Sequence, residues 1–224
     1  MSIFEHIISI IAPHECLECN AEGDVLCAKC AELLPSAMPR CYRCKVFSRD
    51  FSTCKPCRRV SSLKRVIIIT DYDVDQTKKL IHGLKFGRKV AAARTISEIM
   101  TQNLAFDDLR DNSFTHVPTA NIRVRARGYD QSREIARHLC RSNDLHRASL
   151  LLRLGSGRQV GRTREQRLQH MSDVFVVGNP ELVKGRDVVL VDDIVTTGAT
   201  LESAAKTLRL AGARSVSAVV FAAA

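Results

Sequence analysis

Residues 187–200 read DVVLVDDIVTTGAT. Val188–Val191 is a short apolar run of the kind that forms a buried strand. A polar, glycine-containing turn follows, and Ala199–Leu210 then has helical spacing up to Gly212. Such a strand-turn-helix points backbone N–H groups and the positive end of a helix dipole at one spot. Thr196, Thr197, Gly198, Ala199 and Thr200 supply hydroxyls and amides that can wrap a phosphate, with Gly198 allowing close approach. Asp192 and Asp193 stand where the strand is expected to end. Two carboxylates beside a phosphate cradle must face something other than the phosphate. Sugar hydroxyls or hydrated Mg²⁺ satisfy them, and a ribose 5-phosphate fits both halves. A plain Thr-capped strand-loop-helix explains TTGAT but not the paired acids. The turn is not GxxxxGK[ST], so a nucleoside-triphosphate P-loop is not supported.

Outward from this stretch, strands and helices alternate. Strands are expected at Arg65–Tyr72, Phe114–Val117, Asp173–Val177, Asp187–Val191 and Ser215–Phe221. Helices are expected at Val90–Asn103 and Gln131–Arg141, with a helix or turn at Thr77–Phe86. The alternation predicts a mainly parallel sheet covered on both faces. The segment after Pro118, carrying Arg123, Arg125, Arg127 and Gly128, reads as a loop following a strand, where a pyrophosphate-binding loop belongs. Ser156–Arg167 (SGRQVGRTREQR) is polar and Arg-rich, as a mobile lid would be. Lys85, in LKFGRK, is a weaker candidate, since a lysine beside glycine is ordinarily just exposed.

The N-terminal quarter differs in composition. Eight of the nine cysteines lie between residues 16 and 57, spaced Cys16-x2-Cys19, Cys27-x2-Cys30, Cys41-x2-Cys44 and Cys54-x2-Cys57. Four such knuckles can furnish two tetrahedral thiolate sites, which suit zinc best. The natural grouping is sequential, though an interleaved one also fits the spacing. Iron–sulfur ligation uses the same thiolates. Disulfides need an oxidising compartment, and thioredoxin-like redox chemistry needs a strand-helix setting that these pairs lack. Metal here is expected to fold a module too small for its own core. His14 could replace a ligand, but eight cysteines leave no need for it. Cys140 sits alone on a helical face and reads as a core residue. A boundary at SSLKR gives residues 1–62 as a short helix and zinc-binding module and 63–224 as the α/β domain.

The 224 residues are 45% hydrophobic, so packed cores are expected. Aromatics are 5% and Trp is absent, which argues against an aromatic platform for single-stranded nucleic acid. The net charge is +10, and from Val117 to His170 twelve Arg, no Lys and four acids give +8. Arginine alone favours bidentate phosphate recognition, although a solvated basic face has the same composition. Ile3, Phe4, Ile7, Ile8 and Ile11 suggest a short amphipathic helix, a poor signal peptide. No apolar run is long enough to span a bilayer, so a cytoplasmic location is expected.

DVVLVDDIVTTGAT resembles the motif by which type I phosphoribosyltransferases bind PRPP (5-phosphoribosyl 1-pyrophosphate). The resemblance implies that Asp192 and Asp193 contact the ribose hydroxyls and that residues 196–200 hold the 5-phosphate, with Mg²⁺ accompanying the PRPP. VPTANIRVRARGYDQS (117–132) is similar to a ComF-family segment in which Val-Pro ends a strand and Arg-Gly-Phe-Asn-Gln follows. Arg127, Gly128, Tyr129, Asp130 and Gln131 occupy those positions, with Tyr for Phe and Asp for Asn. Gln159, Arg167 and Phe175 fit a further Arg-rich segment, while His170 departs from it. IISIIAPHECLEC (7–19) is similar to the family's apolar-Pro-Cys opening. The chain is thus identified as resembling the ComF/GntX family, a type I phosphoribosyltransferase-like sheet with an N-terminal double zinc-ribbon-like module. That implies handling of incoming single-stranded DNA during natural competence. Two other classes fit the residues. An active phosphoribosyltransferase of nucleotide or nucleobase metabolism needs both acids, although no base-reading hood is visible. A non-catalytic zinc-dependent nucleic-acid-binding or adaptor protein tolerates their loss and binds DNA with steep salt dependence. The acceptor and the oligomeric state have no signature in the sequence.

Overall fold

A computed structural model describes residues 14–86, 90–154 and 174–224. The expected amphipathic helix before His14, the lid at 156–167 and the family positions Gln159, Arg167 and His170 lie outside these residues. The cysteine-rich region contains β1 (His14–Glu15), β2 (Glu22–Gly23), α1 (Ala28–Glu32) and α2 (Lys55–Arg58). The α/β region runs β3 (Val66–Asp71), α3 (Asp75–Lys85), α4 (Ala91–Asn103), β4 (Ser113–His116), α5 (Asn121–Arg127), α6 (Gln131–Ser142), β5 (Leu151–Arg153), β6 (Phe175–Val177), β7 (Asp187–Val195), α7 (Ala199–Leu210) and β8 (Ser215–Ala223).

Four strands form a parallel sheet in the order β3-β8-β7-β4. The two inner strands, β7 and β8, are apolar at successive positions because both of their faces are covered. The pleat divides each strand between two cores. Val189, Val191, Val219 and Phe221 face Leu80, Ile96, Ile135 and Leu139 from α3, α4 and α6. Val188, Leu190, Ala218 and Val220 face Leu201, Ala204 and Leu208 of α7. This second core also holds Phe175 and Leu151 from the antiparallel pair β5–β6.

Three expectations need correction. The strand expected to stop at Val191 continues to Val195, because Asp192, Ile194 and Val195 stay in register with Val220, Ala222 and Ala223 of β8. Residues 121–127 are a helix rather than a loop, ended by Gly128 at φ +89°. The strand at 175–177 pairs antiparallel with β5 and lies outside the main sheet.

Among the described residues the cysteine-rich region has no separate core. Cys16, Val25, Leu26 and Cys30 join the α3–α6 side of the sheet, whereas Tyr42 and Leu63 join the α7 side. The region also covers the outer edge of β3: the Ala37 N–H donates to the Ile69 carbonyl (2.9 Å), and Ser52 bridges Arg65. Cys140 is buried on α6, and burial pushes its thiol up to about 12, as befits an inert core residue.

Candidate functional site

The carboxyl ends of β4 and β7 open onto a cleft of about 910 Å³. Its floor is Asp192, Asp193 and Ile194; its walls include Lys85, Thr119, Arg123, Arg127 and Arg153. Thr196 and Thr200 line it too, and a smaller depression of about 50 Å³ lies within the turn formed by residues 194–201. The described lining therefore carries four cationic side chains and two acids, with the turn at 194–201 adjoining the acids.

The paired acids are not equivalent. Asp193 is 3% exposed and forms an ion pair with Lys85 at 2.7 Å. Asp192 keeps part of its surface open, and its Oδ1 accepts from the Ser132 hydroxyl (2.6 Å) and the Asp193 N–H (2.9 Å). Desolvation and then the neighbouring Asp193 charge hold the Asp192 carboxyl well above the usual carboxylate range; the Ser132 bond opposes them. Sequence reasoning singled out both acids but not this asymmetry.

The turn after β7 ends in Gly198, which is the N-cap of α7 at φ +77°. A Cβ there would lie 2.6 Å from Cε2 of Tyr42, so the close approach that glycine allows is to an aromatic ring. The Thr197 hydroxyl accepts from the Ala199 N–H at 3.3 Å, giving one first-turn amide a local partner.

On the opposite wall, α5 directs Arg123 and Arg127 to the cleft, while Arg125 is exposed and does not line it. Arg127 donates to Gln131 Oε1 (2.8 Å) and lies over the Phe86 ring, 5.6 Å from its centroid. Gly128 also lies off the cleft and serves to end α5. The two family departures have structural roles. The Tyr129 hydroxyl donates to the Leu84 carbonyl near the end of α3. Asp130 caps α6 by accepting from the Arg133 N–H (3.2 Å), and its second oxygen accepts from the Thr119 N–H (2.8 Å).

Arg153 escaped sequence reasoning. It donates to the Pro118 carbonyl (3.2 Å), stacks on Phe175 at 5.3 Å and lines the cleft. Burial, and then Arg123, lower its pKa, while Asp192 opposes them. The only sequence signal was one more Arg in a rich stretch; its placement depends on the β5–β6 pair.

The eight cysteines of the knuckles form two groups in sequential order. Cys16, Cys19, Cys27 and Cys30 bring their Sγ atoms within 4.8 Å of one another, as do Cys41, Cys44, Cys54 and Cys57. Sulfurs at ~2.3 Å around zinc lie about 3.8 Å apart. The Cys19–Cys27 and Cys44–Cys54 separations are 3.7 Å and 3.5 Å. Burial raises the Cys16 and Cys41 thiols, but backbone donors within the knuckles outweigh it and bring both to about 6. Both groups could hold a structural zinc ion, with all four sulfurs used and none left over for catalysis.

A parallel sheet with paired acids in the carboxyl-terminal half of an inner strand and a glycine turn opening a helix defines a type I phosphoribosyltransferase-like domain. Residues 93–224 match the family model described as the phosphoribosyl transferase domain. The chain is 25% identical over 222 residues to Competence protein F of Haemophilus influenzae, covering 90% of this chain and 93% of that protein. It is 27% identical over 212 residues to the DNA utilization protein YhgH of Escherichia coli, covering 85% and 87%. Among solved structures it is similar to a glutamine PRPP amidotransferase from B. subtilis, with a TM-score of 0.45 and 20% identity over 63% of this chain and 30% of that one. The protein belongs to the phosphoribosyltransferase-domain family and, with its two N-terminal four-cysteine groups, to the ComF branch of it.

Proposed function

We propose that the protein binds PRPP or a closely related phosphosugar in this cleft and acts in DNA uptake. The supporting observation is a cleft with cationic side chains on one side of the acids, adjoined on the other side by a smaller depression in the turn, the two sharing Asp192, Ile194, Thr196 and Thr200. The 5-phosphate sits in the turn at Thr196, Thr197, Gly198, Ala199 and Thr200. The ribose hydroxyls meet Asp192, while Asp193 holds Lys85 in the wall. The pyrophosphate lies against Arg123, Arg127 and Arg153, where bidentate guanidinium contacts are strongest. One oxygen of each acid already has a protein donor. Mg²⁺ would accompany the pyrophosphate and offset its charge.

A site of this kind supports transfer at C1 of the ribose. The C1–O bond breaks, its electron pair leaves on pyrophosphate, a nitrogen lone pair of an acceptor forms C1–N, and the proton that nitrogen carried passes to solvent. The chain's share of the work is positioning and charge stabilisation. The DNA role is carried over from the names of Competence protein F and the DNA utilization protein YhgH.

Titration calorimetry with Mg²⁺–PRPP tests the reading on wild type and Asp192→Asn. Saturable binding that the variant loses is the expected result; no binding to wild type overturns it. The same variant in a transformation assay tests whether DNA uptake depends on the cleft, and unimpaired uptake would separate the two roles.

A further inference from the structure

We propose that Tyr42 is a positioning residue for the phosphate turn, and that the second cysteine group, but not the first, sets that turn's geometry through it. The inference rests on the phosphosugar reading above.

Tyr42 lies inside the Cys41–Cys44 knuckle, next to a metal ligand. The knuckle is closed by Lys45 N–H donating to the Cys41 carbonyl and Cys41 N–H donating to the Val46 carbonyl, both at 2.9 Å. From it the Tyr42 ring reaches the α7 side of the sheet, where it is 2% exposed. It fills the space in front of Gly198, so the N-cap of α7 rests on an aromatic face.

Hydrogen bonds fasten the same place. The Tyr42 hydroxyl and the Ser61 hydroxyl both donate to Glu202 Oε1, and the Ser62 N–H donates to Oε2 at 3.1 Å. Glu202 lies in the first turn of α7. A free carboxylate there would compete with a bound phosphate for the same positive helix end. Three donors occupy it instead, and it does not line the phosphate-sized depression. Tyr42 therefore acts on the turn twice, by packing against Gly198 and by holding Glu202.

The first cysteine group packs elsewhere. Cys16 and Cys30 are buried with α3, α4 and α6 on the opposite face, and Glu18 pairs with Lys79 of α3 at 2.8 Å. Metal loss at the second group releases the knuckle that carries Tyr42; loss at the first leaves it in place.

Two readouts test this on the full chain. The first is affinity for ribose 5-phosphate, which addresses the turn, against Mg²⁺–pyrophosphate, which addresses the arginine wall. Tyr42→Ala is expected to weaken ribose 5-phosphate about ten- to a hundred-fold, since small misplacements of positioning groups cost that much, and to leave pyrophosphate unchanged. Tyr42→Phe keeps the ring and restores most of the affinity. Cys57→Ser should behave as Tyr42→Ala does, and Cys19→Ser as wild type. The second readout needs no ligand: amide hydrogen exchange across residues 196–202 should quicken in Tyr42→Ala and Cys57→Ser only. Unchanged exchange in Tyr42→Ala, or equal effects of Cys19→Ser and Cys57→Ser, overturns the proposal. If wild type binds neither probe, the phosphosugar reading falls, and the exchange pattern alone decides the coupling.

Discussion

Asp192 and Asp193 are adjacent in sequence and opposite in energetics. Asp192 is a desolvated acid whose pKa is raised, so between the ordinary carboxylate range and that raised value the native state holds more protons than the unfolded state. Its contribution to stability is therefore intact at low pH and declines as pH rises through this window. Asp192→Asn is expected to raise the melting temperature at neutral pH by about 2–4 °C for each kcal/mol relieved, with the gain vanishing below the unfolded carboxylate range. Calorimetry at two pH values checks it. Asp193→Asn should do the reverse, because Lys85 would be left partly buried without its partner. Removing one member of such a pair costs about 3 kcal/mol, readable as a lower urea midpoint. The paired acids were visible in the sequence because carboxylates after an apolar run call for a ligand. Their inequality was not, since it depends on Lys85 and Ser132, which come from distant α3 and α6.

At the scale of elements, α5 is where sequence reading and structure part company. NIRVRAR has neither an apolar face nor an acidic N-terminus, so it carries no helical signature, and none of its residues is buried. Its helical turn decides which arginines meet the cleft. Arg123→Ala and Arg127→Ala are each expected to weaken pyrophosphate binding by about 1.5–3 kcal/mol, and Arg125→Ala to leave it unchanged. Titration of Mg²⁺–pyrophosphate into the three variants separates them. The strand-turn-helix from Asp187 to Leu210 was far more legible, since the apolar strand, Gly198 and the helical spacing agree with one another. Only the length of β7 was misread, because the pairing that extends it is supplied by Ala222 and Ala223 of β8.

Across the whole molecule, the cysteine spacing announced two metal groups but could not say what they packed against. Their surroundings belong to the two cores of the α/β sheet. Chelation is therefore expected to lower and broaden a single unfolding transition rather than abolish a separate early one. A calorimetric trace with two resolved transitions would contradict that. No helix among the described residues is long and apolar enough to cross a membrane.

The backbone pairing from Ala37 to Ile69 and from Ser52 to Arg65 has a colloidal consequence. An open strand flank is a template on which another chain can grow a sheet. On β3 that flank is shielded by the cysteine-rich segment, whose two four-cysteine groups could hold metal. Metal-depleted protein should self-associate through this flank, with light scattering rising as the square or higher power of concentration, and a proline placed on β3's outward-facing side should suppress it.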